Sequence, residues 1–426
     1  MNPKRVSYDL INEEYYYMKH PAGLDIYIYP KKDYGSKYAI FGTNFGSINN
    51  KFKLKNNTSY TEVPDGIAHY LEHKLFAGKD CDAFELFSKT GASANAYTSF
   101  EKTAYLFSCT DNFEESLNIL LDFVQSPYFT PENVEKERGI INQEIKMYQD
   151  SPDWKVYINL LNLLYKNHPV KIDIAGSVES VSRITPEILY ECYNNFYNLN
   201  NMCLCIVGDV NYNKIFELVD TKLKYSNKIE VEKYFPEETL DISQEYISEK
   251  FDINSKIFNF GIKQFMNTGA RISTRESVLC DILLYYLTSP SSDMYTELLE
   301  KELINFATFS SEHLEGPGYS SLIFSGESKD PKKTSEIIKN HIIKLRSSGL
   351  NSENFERSKK AVYGKSMNVF NNISDIANVL LEFAFSGKQF FEYIKILQDI
   401  KLEDINKYII ERVDPEYSAL SVAEPK

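Results

Sequence analysis

Apolar and polar residues alternate along Leu24-Asp25-Ile26-Tyr27-Ile28-Tyr29, the two-residue period of a half-buried strand. Tyr38 to Phe45 follows as a second β-rich run before a loop rich in Asn and Lys. Pro64-Asp65-Gly66 then opens a helix in which Ile67, Leu71 and Leu75 share one face, while His69, Glu72, His73 and Phe76 lie roughly opposite. Ser93 to Thr98 and Thr103 to Ser108 read as a pair of strands. A further helix covers Phe113 to Val124, where Phe113, Leu117, Leu120, Leu121 and Val124 keep the helical period. Met202 to Val207 is an apolar strand. Strands and helices therefore come in alternating blocks, which predicts an α+β architecture.

A weak internal repeat divides the chain. Ile184-Thr185-Pro186-Glu187-Ile188, with the helix beyond it and the strand ending at Cys203-Leu204-Cys205-Ile206-Val207, has a second version in Ile400-Lys401-Leu402-Glu403-Asp404-Ile405 and Ser418-Ala419-Leu420-Ser421-Val422. The second version begins 216 residues after the first (184 to 400), about half of a 426-residue chain. A chain of this length suits two hydrophobic cores better than one. The expected division is residues 1–230, a joining stretch 231–250 within the charged run from Ser226 to Lys250, and residues 251–426.

The formal net charge of -13 argues against a nucleic-acid backbone as partner, since phosphate binding needs a surplus of Lys and Arg. Met1 to Tyr17 is polar and tyrosine-rich, and no run of 18 apolar residues occurs, so no membrane partner and a cytoplasmic location are expected. Six cysteines are scattered without a C-x-x-C spacing, as free thiols in a reducing compartment would be. Cys203 and Cys205 share one strand; core packing is expected there, with a soft ligand pair as the alternative.

Only six histidines occur, and two of them stand four residues apart in His69-Tyr70-Leu71-Glu72-His73. On a helix that spacing is one turn, so both imidazoles reach a single ion from the same side. A surface helix with two solvated histidines is the alternative that these five residues leave open. A second helix, Asn133 to Gln149, bears on the choice. Glu135, Lys136, Asn142, Gln143, Lys146 and Gln149 gather on one side; Val134, Ile141, Ile145 and Tyr148 gather on the other, and Glu137 and Glu144 fall among them. Carboxylates facing an interior need a counter-charge. Either a dication shared with His69 and His73 neutralises Glu144, or a buried Lys or Arg does.

Two neutral imidazoles and one carboxylate leave a fourth position for water, the ligand set of a catalytic zinc site with one ion per chain. Zinc draws the pKa of its water toward about 7 and polarises a carbonyl. Glu72 is poorly placed to be a third ligand on the same helix. It is expected to be the general base, taking a proton from the water and passing it to the leaving amine of a peptide or protein substrate. Glu137, two turns before Glu144, is placed to support the reaction by holding a ligand in position.

These residues resemble the pitrilysin or insulinase-type metallopeptidases, the inverzincins, whose H-x-x-E-H reverses the thermolysin-type motif. The likeness extends to Gly91-Ala92-Ser93-Ala94-Asn95-Ala96-Tyr97-Thr98, to Val134 through Glu144, and to His168-Pro169, Gly176 and Val207-Gly208-Asp209. It covers most of the N-terminal half; the C-terminal half fits in outline. The N-terminal half most resembles the short-chain bacterial branch associated with elongation factor P aminopentanol modification, which implies a processing role. The family implies two homologous α/β-sandwich domains of the mitochondrial-processing-peptidase type, forming half of a clam-shell chamber. Asn95, with Ala94 and Ala96, is similar to the family's edge strand, where an extended substrate adds itself by main-chain pairing.

Active relatives carry an Arg and, seven residues later, a Tyr in the second domain, which hold substrate and oxyanion. The matching positions here are Leu299 and Phe306. The resemblance therefore implies a partner: a related zinc-less chain that supplies the pair across a heterodimer chamber, with a homodimer as the alternative. Two other readings stay open, a non-catalytic assembly subunit and a module that binds peptides without cutting them. Outside the site, His168 is expected in a turn, His313 in a hairpin loop near Gly316-Pro317-Gly318, and Tyr15-Tyr16-Tyr17 against the first strands.

Overall fold

The structure, a computed structural model, describes residues 3–79, 81–225 and 228–426. Ser226 and Asn227, which begin the charged run, and Met1 and Asn2 lie outside it. Two compact units divide the chain, and each is discontinuous in sequence, unlike a cut between residues 230 and 251. The first holds Met1–Ile145, Asp173–Tyr234 and Asn368–Phe391; the second holds Lys146–Ile172, Phe235–Met367 and Glu392–Lys426.

The first unit carries β1 (Lys4–Tyr8), β2 (Glu13–Lys19), β3 (Asp25–Pro30), β4 (Lys37–Thr43), β5 (Ser93–Thr98), β6 (Thr103–Cys109) and β7 (Met202–Gly208). They form one sheet in the order β1-β2-β3-β7-β4-β6-β5. The second unit carries β8 (Tyr246–Phe251), β9 (Ile257–Lys263), β10 (Ser310–Gly316), β11 (Tyr319–Glu327) and β12 (Ser418–Pro425), in the order β8-β12-β9-β11-β10. The sheets repeat one pattern. β3 and β7 are parallel, and the pairs β7-β4, β4-β6 and β6-β5 are antiparallel. β8 and β12 are parallel, and β12-β9, β9-β11 and β11-β10 are antiparallel.

Seven helices matter here: α1 (Ile67–Leu75), α2 (Phe113–Val124), α3 (Pro131–Gln149), α4 (Pro152–Leu164), α5 (Pro186–Phe196), α6 (Ile373–Ser386) and α7 (Leu402–Arg412). α5 leads into β7 and α7 into β12, so the repeat seen in the sequence is a helix-strand unit in both halves. β7 is buried along its whole length, which is why it reads as a continuous apolar run and not as an alternation. Cys203 and Cys205 are core residues on it, with their sulfurs 3.7 Å apart.

Glycine at one register seats a helix on each sheet. Gly42 on β4 pairs with Cys203, and a Cβ there would lie 2.8 Å from Leu381 of α6. Gly261 on β9 pairs with Ala419, and a Cβ there would lie 2.7 Å from Leu164 of α4. α6 thus packs on β7 and β4 of the first unit, and α4 on β12 and β9 of the second. Each sheet takes its covering helix from the other half of the sequence.

Tyr15 packs among Tyr27, Tyr29, Phe390 and Phe391, and Tyr17 against Tyr27. The joining stretch is more than a linker, because Val231–Lys233 pairs with Lys51–Leu54 and β8 begins at Tyr246. His313 lies within strand β10, not in a loop, and its Nε2 is 2.9 Å from Ser320 Oγ. The six cysteines are free, and among the described residues no helix is long and apolar enough to cross a membrane.

His168 does hold a turn. Its Nδ1 accepts from Val170 N at 3.1 Å and its Nε2 donates to Pro317 O at 3.0 Å, while Glu238 accepts from the backbone N–H of Lys166, Asn167 and His168 and from Lys263. Burial pushes the imidazole pKa down to about 4. The unfolded chain, with its ordinary value near 6.5, binds the proton more readily between those two values, so stability falls as pH drops through that window. A shift of this size corresponds to roughly 3 kcal/mol. Urea unfolding of the second unit should therefore move to lower midpoint between pH 7 and pH 5, and His168→Asn should flatten that dependence.

Candidate metal centre

α1 starts where two glycines cross. Gly66 has φ +87°, and a Cβ there would lie 2.4 Å from Ala175 O; Gly176 has φ +75°, and a Cβ there would lie 2.5 Å from Asp65 O. Backbone meets backbone only because neither residue has a side chain. Ser180 Oγ donates to Asp65 O at 2.9 Å and fixes the crossing. From there Ile67, Ala68, Tyr70, Leu71 and Leu75 bury α1 on most of its surface. Tyr70 Oη donates to Val134 O at 2.5 Å, which ties α1 to α3. Burial pushes that phenol up to about 12, so it remains a donor.

α3 buries Val134, Ile141 and Ile145 and brings Glu137 and Glu144 to α1 on the same side. One oxygen of Glu144 lies 3.6 Å from His69 Nε2 and the other 3.3 Å from His73 Nε2. The rings of His69 and His73 have centroids 4.6 Å apart. His73 Nδ1 is 3.1 Å from Glu137 Oε1, so the far side of that ring is also held by a carboxylate. His69 Nδ1 is buried without a partner among the described residues.

This donor set fits a zinc ion. His69, His73 and Glu144 offer atoms that all lie within 4.8 Å of one another. A tetrahedral ion about 2.05 Å from each ligand needs neighbouring donor atoms about 3.3 Å apart, and each imidazole has a separate oxygen of Glu144 near that spacing, Oε1 at 3.6 Å from His69 and Oε2 at 3.3 Å from His73. Electrostatics agree. Burial alone would lower His73, yet its contacts to Glu137 and Glu144 lift it to about 10. Hydrogen bonds to both imidazoles hold Glu144 well below the ordinary carboxylate range. A cluster that draws a proton this strongly is one in which a cation is favoured.

Glu72 Oε2 accepts from Thr98 Oγ1 at 2.6 Å, at the end of β5. Asn95, Ala94 and Ala96 lie on β5, an edge strand of the first sheet, where Asn95 Oδ1 accepts from Ala96 N at 2.9 Å. Leu299 and Phe306 belong to the second unit and are exposed, at 42% and 73%. Thr98 and Lys74 were not singled out in the sequence. Lys74 was findable, because it sits one helical turn beyond Leu71 on the stripe of Ile67 and Leu71, a charge on an apolar face. Thr98 carried no such signal.

Comparison with known proteins agrees with this geometry. Residues 58–178 match the model described as insulinase (peptidase family M16), and residues 183–362 match that of the peptidase M16 inactive domain. The chain is 38% identical to the uncharacterized zinc protease YmfH of Bacillus subtilis (strain 168) over 99% of both chains. It superposes on the crystal structure of an M16-like peptidase from Alicyclobacillus acidocaldarius with a TM-score of 0.92 at 32% identity, covering 100% of this chain and 99% of that one. Pitrilysin shares the fold, with a TM-score of 0.76 at 16% identity; all of this chain matches 46% of pitrilysin's.

Tyr70→Phe leaves the ring in place and removes the donor to Val134 O. It should cost about 1 kcal/mol, the usual worth of one buried hydrogen bond, read as a lower urea midpoint with an unchanged slope.

Proposed function

The chain belongs to the insulinase family of peptidases (family M16), and from that premise we propose that it is a zinc-dependent endopeptidase acting in the cytoplasm on peptides or a small protein. The observation that carries the reading is Glu144 set between the two imidazole Nε2 atoms at 3.6 and 3.3 Å. His69, His73 and Glu144 would hold one zinc per chain. An ion held there supplies Lewis acidity to a water molecule and to the scissile carbonyl.

The protein's own groups do the rest. Glu72 takes the proton from the attacking water and delivers it to the leaving amine, the work of a general base that turns general acid. Thr98 holds its carboxylate at 2.6 Å, which joins the base to the strand where substrate docks. Glu137 accepts from His73 Nδ1, leaving the Nε2 lone pair for the ion. An extended peptide adds to the free edge of β5, where Asn95 caps the Ala96 N–H with a side chain that an incoming strand displaces.

Leu299 and Phe306 offer no charge and no hydroxyl where the family resemblance implies an Arg and a Tyr, which supports a related zinc-less chain completing the chamber and its oxyanion site. The match to less than half of pitrilysin's length fits a chain that supplies one half of such a chamber. Six free thiols support the cytoplasmic assignment.

Metal analysis tests the ligands: the wild-type chain should hold close to one zinc, and His73→Ala should hold none. Glu72→Gln should keep its zinc while peptide turnover, assayed with the partner chain present, falls by roughly 10²- to 10⁴-fold. A wild-type chain without affinity for zinc, or turnover unaffected by Glu72→Gln, would rule out the endopeptidase and leave the assembly or peptide-binding readings.

A further inference from the structure

We infer that Lys74 is a positioning residue of this centre: its ammonium holds the Glu137 carboxylate in the orientation that keeps His73 aligned for the ion. The inference rests on the zinc reading above and concerns a residue that the H-x-x-E-H motif does not include.

Lys74 has a side chain only 3% exposed, a position that lysine occupies rarely without a charged partner. Its Nζ lies 3.7 Å from Glu137 Oε2, while Oε1 of the same carboxylate lies 3.1 Å from His73 Nδ1. One carboxylate is therefore strung between an imidazole and an ammonium, with one oxygen for each. The last torsion of a glutamate is broad, so a carboxylate held only by the imidazole could swing away from it. The ion pair to Lys74, at 3.7 Å, restricts that swing.

Charge balance points the same way. Glu72 on α1 and Glu137 and Glu144 on α3 bring three negative charges to this region. A zinc ion brings two positive charges and Lys74 a third, so the loaded centre is neutral with every carboxylate ionised. Without Lys74, the half-buried Glu137 would keep only its contact to His73, the ligand it serves.

Zinc affinity of the full chain, measured by competition with a chromophoric chelator at one fixed pH, tests this for wild type, K74M, K74Q, K74R, E137Q and the double variant K74M/E137Q. K74M should bind zinc roughly 10- to 100-fold more weakly, as expected when the partner of a ligand is lost. K74R, which keeps the charge, should recover most of the affinity. The double variant should be no weaker than E137Q alone, because Lys74 acts through Glu137. Circular dichroism checks folding, and should K74M not fold, K74Q carries the same expectation in its place. Unchanged or tighter zinc binding in the uncharged variant overturns the inference, and so do losses that add in the double variant. Absence of zinc binding by the wild type would instead defeat the zinc reading itself.

Discussion

One carboxylate of α3 placed between two imidazoles of α1 is the contact on which the rest of the first unit depends. Glu144 is drawn from solvent toward His69 and His73, and the neighbourhood already holds Glu72 and Glu137. So many negative groups in a half-buried place need positive charge beside them. The surrounding structure fixes where that charge must go. Gly66 and Gly176 set the start of α1 against the segment from Ala175, Tyr70 ties α1 to α3, and the buried stripe Val134, Ile141, Ile145 sets the rotation of α3. None of these residues would touch an ion, yet each limits how far the ligand atoms can drift apart.

The two sheets show what duplication keeps and what it lets go. Strand order, direction of pairing and the glycine that seats a helix recur in both units. The chemistry does not recur. Between β4 and β5 of the first unit the chain places α1 with its two histidines; between β9 and β10 of the second it places Thr274–Thr288, whose buried residues include Val278, Leu279, Ile282, Leu283 and Leu287 and no histidine. The same frame is used once to gather ligands and once to make core.

Much of this was legible in the residues because the signals are local. The four-residue histidine spacing and the position of Glu137 and Glu144 on an apolar stripe are properties of single helices, and the structure brings His69, His73 and Glu144 together. The 216-residue repeat makes α7 and β12 the counterparts of α5 and β7, because a helix-strand unit keeps its length when copied. What the residues hid depends on long-range pairing. Nothing in Ile373 to Ser386 says that it covers β7, and nothing in Thr98 says that it meets Glu72. Val231–Lys233 looked like linker because a strand of three residues has too little pattern to declare itself. Lys74 has a local signal, a charge on the apolar stripe of α1, but a weaker one than the motif beside it.

The exchange of covering helices has a consequence for any attempt to divide the chain. A polypeptide ending near residue 234 would lack α6, and the face of β4 and β7 around Gly42 would lie bare; its complement would lack α4 and bare the face around Gly261. Ala377, Leu380 and Leu381 would lose their seat at the same stroke. Neither half of the sequence carries a complete sheet together with the helix that covers it.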